Sequence, residues 1–379
     1  MKYQSRISRL SLAAAAGGIC LLLAAAGCSS KDPVSPTPDQ ASLAYQIEQL
    51  TNKSKIPGAA GILFSDSGIT DLEAAGARRV GHTAKMGKQD LMHVGSLTKW
   101  MTATMIATLV DQGLLSWTTK PADVLPGLAG SLDTGYANIT LLDLLRHHAG
   151  IPADEDFDSI PTLTGTLRQQ RVQASLMVLA MPPAVAPGTY RYANVGYVIA
   201  ASMAECVTDQ DWRTLMNTRL FQPLGINAFY GWPTEHDADE PWGHVLNGDH
   251  FESVEPSIES PELEFTEPAG FVSMSLEDYS KFIRLHLQAF RGEPHLLSAA
   301  AFQMLRTPVD NYACGVQVTP TEYGTLFWHN GSNTFFYMVM YMIPEKDIGI
   351  AVGINAGDPS LFTPVGVATE TVLEKLIVP

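Results

Sequence analysis

The stretch "HVGSLTKW" sets Ser96 three residues before Lys99. On a helix, positions i and i+3 share a face, so a lysine amine reaches a serine hydroxyl one turn earlier. Helical spacing begins here: Met101, Met105, Ile106 and Leu109 recur at threes and fours between Leu97 and Gln112, and Gly113 follows as a stop signal. A helix N-terminus disfavours a cationic lysine and offers backbone N–H groups to an oxyanion. A neutral lysine can accept the serine proton, giving an activated nucleophile with no histidine–aspartate pair. Alone, Ser-x-x-Lys is a weak signal, because an N-cap serine followed by a surface lysine reads the same way.

Partners for that pair must come from elsewhere in the chain. Tyr-Ala-Asn occurs twice, at Tyr136–Asn138 and at Tyr192–Asn194. The first copy reads as a turn leading into the helix "TLLDLLRHH". The second follows the turn Pro187-Gly188 and opens an apolar helix, which sets a phenol and a carboxamide on a rigid turn. A third element should lie on a strand facing the nucleophile. "KMG" at Lys85 precedes Ser96 in a polar loop. "HAG" at His148 ends a helix, where Gly150 is a C-cap signal and His147 and His148 suit the negative end of the dipole. Only "HNG" at His329 sits between strand-like runs, and Gly331 there lets a substrate backbone approach closely.

Ser96-Leu97-Thr98-Lys99, Tyr192-Ala193-Asn194 and His329-Asn330-Gly331, in that order, resemble the penicillin-recognising serine hydrolases, and among these the class C β-lactamase-related family. The stretches "ITLLDLLRHHAGI", "PPAVAPGTYRYANVGYVIA", "LFQPLGI", "PAGFVSMSLEDYSKF" and "IAVGINAG" are similar to family segments, so the resemblance runs from about residue 41 to 375. It implies that Ser96 is the nucleophile of an acyl-enzyme and that Lys99 and Tyr192 share the proton transfers. It implies that Asn194 binds the substrate's side-chain amide and that His329 and Gly331 line the pocket. The backbone N–H groups of Ser96 and Ser332 would form the oxyanion hole. Two departures bear on substrate. The family's β-lactamases carry Lys-Thr-Gly or close to it in the third motif, whereas His329 and Asn330 stand here; and Ala149 replaces a common serine. A histidine is mostly neutral near pH 7, so a permanent charge for a β-lactam carboxylate is missing. The expected activity is a D-Ala-D-Ala-type peptidase or an esterase-like hydrolase of peptides, amides or esters. Genuine β-lactamase action is one alternative, and a non-catalytic peptidoglycan- or ligand-binding protein of this fold is another.

The elements that must position these residues follow from the rest of the chain. Residues 41–54 read as a helix, with Leu43, Ile47 and Leu50 on one stripe. "AAGILF" and "ITDLEAAGARR" read as strands around Ser65–Gly68, and "CGVQVTP", "GTLFW", "FFYMVMYMI" and "IGIAVGI" as strands near the other end. Helical patterns fill the middle, and another closes the chain from Val365 to Leu376. The expected fold is α/β plus an all-helical region: an antiparallel sheet built from both termini with an inserted helical domain, and a site at the seam. The domain would run over 41–379, its α/β part over 41–95 and 268–379 and its helical part over 96–267. "VLNGDHF" reads as a hairpin turning at Asn247-Gly248. The glutamates from Glu252 to Glu267 read as a solvated loop over the cleft rather than a metal site.

With 46% hydrophobic and 17% charged residues, the chain is globular in composition, and its net charge of −15 argues against nucleic-acid partners. Residues 1–27 read as a lipoprotein signal: Lys2, Arg6 and Arg9, an apolar run from Leu12 to Ala26, then "LAAAGC". The resemblance to a lipobox implies a lipid on Cys28 and a bacterial cell-envelope location facing the periplasm, on the outer membrane in a Gram-negative cell. Residues 28–40, rich in Pro, Ser and Asp, form a tether. Cys206 and Cys314 read as separate buried thiols, no Cys/His spacing fits zinc, and the chemistry calls for no cofactor.

Overall fold

Ser42 caps the first helix, α1 (Leu43–Asn52), its side chain accepting the Tyr45 N–H. The computed structural model describes residues 40–128, 130–153, 163–255 and 261–378. The export segment, Cys28 and nearly all of the tether therefore lie outside the described residues. Leu43, Ile47 and Leu50 are buried against the sheet that follows. β1 (Gly58–Phe64) and β2 (Ile69–Gly76) form a hairpin, and the short β3 (Met92–His93) leads through the turn Gly95–Leu97 into α2 (Thr98–Asp111). Every α2 side chain from Thr98 to Leu109 is buried, so α2 is a central core helix with no solvent face.

The middle of the chain is helical: α3 (Leu141–Leu145), α4 (Leu167–Leu179) and α5 (Asn194–Thr208). β4 (Ala228–Tyr230) and the hairpin β5 (His244–Asn247) and β6 (His250–Ser253) come next, the hairpin turning at Asn247-Gly248 as its sequence implies. β7 (Val272–Met274), α6 (Leu276–Phe290) and α7 (Ala299–Arg306) lead to four consecutive antiparallel strands. These are β8 (Gln317–Thr321), β9 (Gly324–Ser332), β10 (Tyr337–Ile343) and β11 (Ile348–Ile354), followed by α8 (Phe362–Ile377).

The main sheet has the order β2-β1-β11-β10-β9-β8, with every pair antiparallel. Strands from the two ends of the chain meet where Ala59 pairs with Ile354. The "MVMYMI" strand is buried along its whole length because both faces are covered. Tyr337, Val339 and Tyr341 face α1 and α8, whereas Met338, Met340 and Met342 face the core around α2 and α6.

Several expectations need correction. The "TLLDLLRHH" helix stops at Leu145, and His147 takes a left-handed φ of 60°. Its ring turns inward, so it is not a cation at a helix end. The small sheet β3-β7-β4 and the helix α7 carry no readable pattern, since strands of two or three residues are shorter than any period. Glu267 is fully buried rather than part of a solvated loop. Cys206 and Cys314 are separate free thiols as expected, but only Cys314 is buried and Cys206 is half-buried.

Candidate active site

The nucleophile turn is built from β3. Val94 N–H donates to Val272 O at 2.9 Å, and Gly95 N–H donates to His93 Nδ1 at 3.2 Å. Burial among Trp232, Phe271 and Phe336 takes the His93 pKa down to about 3, so Nδ1 stays free to accept. Ser96 follows, half-buried, in the Gly95–Leu97 turn, and Lys99 lies in the first turn of α2 with no exposed surface. The Lys99 amine contacts Ser96 Oγ at 3.0 Å, Asn194 Oδ1 at 2.6 Å and Ala269 O at 2.7 Å. It also lies 4.8 Å from the centre of the Tyr192 ring.

Each oxygen arrives on a different element. Asn194 opens α5, directly after Tyr192 and the extended Ala193. Ala269 belongs to the short helix Glu267–Gly270, where Pro268 O also accepts the Thr102 hydroxyl at 2.8 Å. A buried ion cluster anchors that segment. Glu267 accepts from Arg213 Nε at 2.9 Å and lies 3.5 Å from Arg171 Nη1. Arg171 Nη2 and Nε in turn reach Glu205 at 2.5 and 3.1 Å. Burial pushes the Glu267 carboxyl above its usual range while the two guanidiniums pull it down. Arg171, Glu205 and Glu267 are fully buried, and removing one partner of such a buried pair costs about 3–5 kcal/mol, so the Ala269 carbonyl stands on a firm base.

The fourth wall is β9. Its ladder with β8 ends at Trp328 opposite Gln317, so from His329 to Ser332 only β10 pairs with it, and its other edge faces the Ser96 turn. A Cβ on Gly331 would lie 2.0 Å from Val94 O and 2.8 Å from Ser96 N. A Cβ on Gly95, whose φ is +52°, would lie 2.6 Å from Ser332 N. The two backbones therefore touch glycine to backbone, which places the amide nitrogens of Ser96 and Ser332 on one seam. His329 and Gly331 face the core side of the sheet. Asn330 is opposite Val339 and faces the outer cluster under α1 and α8.

The match to known proteins agrees with this geometry. Residues 43–365 match the family Beta-lactamase. The chain belongs to this family of serine hydrolases. It is 29% identical over 339 residues to "Penicillin-binding protein 4" of Amycolatopsis lactamdurans, a match covering 86% of this chain and 87% of that one. It is 24% identical over 377 residues to "Unguisins hydrolase ungD'" of Aspergillus campestris, covering 92% of this chain and 67% of that one. Among solved structures, the octameric penicillin-binding protein homologue from Pyrococcus abyssi superposes with a TM-score of 0.72 at 22% identity, over 88% of this chain and 76% of that one. The β-lactamase/transpeptidase-like fold with its antiparallel sheet is the one expected from the sequence.

Within this Beta-lactamase family member, Ser96, Lys99, Tyr192, Asn194, His329 and Gly331 are all brought together. The first Tyr-Ala-Asn is not. Tyr136 is buried in a turn, donating to Gly150 O at 3.4 Å, and Asn138 accepts from Lys120 at 2.9 Å. Because Asn330 faces away, its replacement of a family threonine falls on the far side of the sheet. His329 is the departure that reaches the site. Burial, then the neighbouring Lys99, takes its pKa down to about 3. Two contributors escaped sequence reasoning: His93 and the Ala269 carbonyl. His93 alone had a local signal, its place two residues before a glycine–serine turn. Among the described residues, no group of His, Cys, Asp and Glu could hold a metal ion.

Proposed function

We propose that the protein is a hydrolase that forms an acyl-enzyme on Ser96 from a neutral peptide, amide or ester. One observation carries this reading: the Lys99 amine touches two carbonyl oxygens and one hydroxyl. A neutral amine gives its two N–H bonds to Asn194 Oδ1 and Ala269 O, and its lone pair then faces the Ser96 hydroxyl. Ser96 Oγ attacks the substrate carbonyl as its proton passes to Lys99. Tyr192, its ring beside that amine, shares in returning the proton to the leaving nitrogen or oxygen as the scissile bond breaks. Water releases the acyl group by the reverse path. The amides of Ser96 and Ser332 serve the oxyanion and Asn194 the substrate's amide, while Gly331, expected from sequence to admit a substrate backbone, instead lets the nucleophile turn close on β9.

The neutral His329 supports a preference for substrates without a carboxylate at that wall, and so for esters and peptide amides over β-lactams. Relatives named as a penicillin-binding protein and as a hydrolase are in keeping with acyl-transfer chemistry. A fluorophosphonate or a fluorescent penicillin is expected to label the protein, and Ser96→Ala to abolish labelling. Folded protein that neither probe labels would leave the non-catalytic binding reading in possession. A panel of nitrocefin, a D-Ala-D-Ala peptide and p-nitrophenyl esters separates the substrate classes, and fast nitrocefin turnover would overturn the reading of His329. The sequence of residues 1–28 supports placing this activity in the bacterial cell envelope, with a lipid on Cys28. A mature mass that lacks the lipid would refute that placement.

A further inference from the structure

Behind Tyr192 lies a line of buried polar groups that the acyl-transfer chemistry does not use. Ala193 N–H donates to His147 Nδ1 at 3.2 Å. His147 Nε2 lies 3.2 Å from the Tyr312 hydroxyl, and that hydroxyl lies 3.2 Å from His329 Nε2. His329 Nδ1 lies 2.5 Å from Asn330 O. The two ends fix every proton between them. An amide N–H can only donate, so His147 Nδ1 accepts, and the neutral ring carries its hydrogen on Nε2. That hydrogen points at the Tyr312 oxygen. At the other end a carbonyl can only accept, so His329 carries its hydrogen on Nδ1 and its Nε2 is a lone pair. The Tyr312 O–H must then point at His329. Tyr197 also lies beside Tyr312, but it already donates to Leu145 O at 2.7 Å. Turning the Tyr312 proton toward it would leave lone pair against lone pair at His329.

Both histidines are buried and held neutral, His147 well below its usual pKa and His329 near 3, with Lys99 opposing a charge on either. Tyr312 is itself fixed. Its turn closes through Val309 and through the pair Ala313–Val316, and a Cβ on Gly315 would lie 2.4 Å from Trp100 N in α2.

We propose that Tyr312 is a positioning residue whose hydroxyl couples the Tyr192–Asn194 segment to β9 through a one-way hydrogen-bond chain. The chain runs from Ala193 through His147, Tyr312 and His329 to Asn330. It ties the second and third motif segments by donors and acceptors that fit in one direction only. Tyr192 packs on this chain, with its ring centre 4.3 Å from that of His147.

The catalytic part of this inference rests on the acyl-enzyme reading; the direction of the chain does not. Nitrogen-15 NMR of the wild-type protein at pH 7, with His147 and His329 assigned by single His→Gln variants, is expected to show His147 as the Nε2–H tautomer and His329 as the Nδ1–H tautomer. Either ring in the other tautomer, or charged, would overturn the chain. In Tyr312→Phe, ester turnover per Ser96 site titrated by fluorophosphonate is expected to fall about tenfold in kcat with KM little changed. Unchanged kcat, or a loss confined to KM, would overturn the positioning role. If Tyr312→Phe fails to fold, the wild-type tautomers still decide the chain, and His147→Gln carries the kinetic arm: it is expected to lose kcat likewise, and unchanged kcat would overturn the role. Wild-type protein that no probe labels would sink the hydrolase reading and, with it, the catalytic half of this one. The tautomers would still stand or fall alone.

Discussion

Gly331→Ala tests the seam between β9 and the nucleophile turn. The added Cβ would lie 2.0 Å from Val94 O, whereas carbon–oxygen contacts settle near ~3.3 Å, so the seam must open by more than about 1 Å. Val94 cannot give freely, because its N–H is held by Val272 O at 2.9 Å, and β9 is held by β10. The strain falls on Ser96 and on its distance from Ser332 N. A misplacement of about 1 Å at a reacting group costs on the order of a hundredfold in rate, and overpacking costs about 1–3 kcal/mol in stability. Gly349→Ala is the matched control, since its Cβ would lie 2.1 Å from Phe64 Cε2 in the β1–β11 ladder, where no site residue stands. Both variants are expected to lower the Tm. Only Gly331→Ala is expected to slow fluorophosphonate labelling, by about a hundredfold per folded molecule. Labelling of Gly331→Ala within about threefold of wild type would refute the close-approach reasoning, as would an equal loss in Gly349→Ala.

Tyr192→Phe is expected to slow acylation of Ser96 by about a hundredfold or more, while Tyr136→Phe, which loses only a 3.4 Å contact to Gly150 O, leaves the rate nearly unchanged. Equal losses would mean that the repeated triplet had been misassigned. Acid should destabilise the fold through its buried imidazoles. His93 and His329 have folded pKa values near 3 against 6.5 when unfolded, so the unfolded chain binds more protons between those values. The stability they contribute is full above about pH 6.5 and declines as pH falls toward 3, by about 2 kcal/mol for each histidine between pH 7 and pH 5. Urea unfolding at the two pH values reads this, and equal midpoints would count against neutral burial of the pair.

The parts of this fold that were legible in sequence are those where period and side-chain chemistry coincide. Leu43, Ile47 and Leu50 announce α1, and Asn247-Gly248 announces its hairpin, because each pattern reports the local backbone. Ser96 and Lys99 were legible for the same reason, lying one helical turn apart. Tyr192, Asn194 and His329 needed chain order and a family likeness, because no local rule says which strand will face which helix. What stayed hidden depends on distant pairing. Glu267 looks like one more acid in a polar stretch until Arg171 and Arg213 are seen to converge on it. The Ala269 carbonyl is a backbone atom, and every residue has one. His147 is misread from sequence because its left-handed φ reverses where the ring points.

That reversal changes what the third-motif histidine means. Read alone, His329 is a lysine position that has lost its charge. In the proposed chain its Nε2 is the acceptor that Tyr312 requires, and its Nδ1 proton is committed to Asn330 O. A lysine at 329 has three donors and no acceptor. Its ammonium could only donate to the Tyr312 oxygen, so the Tyr312 O–H would lose its acceptor on β9. It would also set a permanent cation beside the Lys99 amine in a buried site, where it opposes the positive charge that Lys99 takes on with the Ser96 proton. The histidine is therefore built into the arrangement rather than a weakened copy of the lysine. A substrate anion would have to be met by some other group, and this supports neutral esters and amides as the substrates to test first.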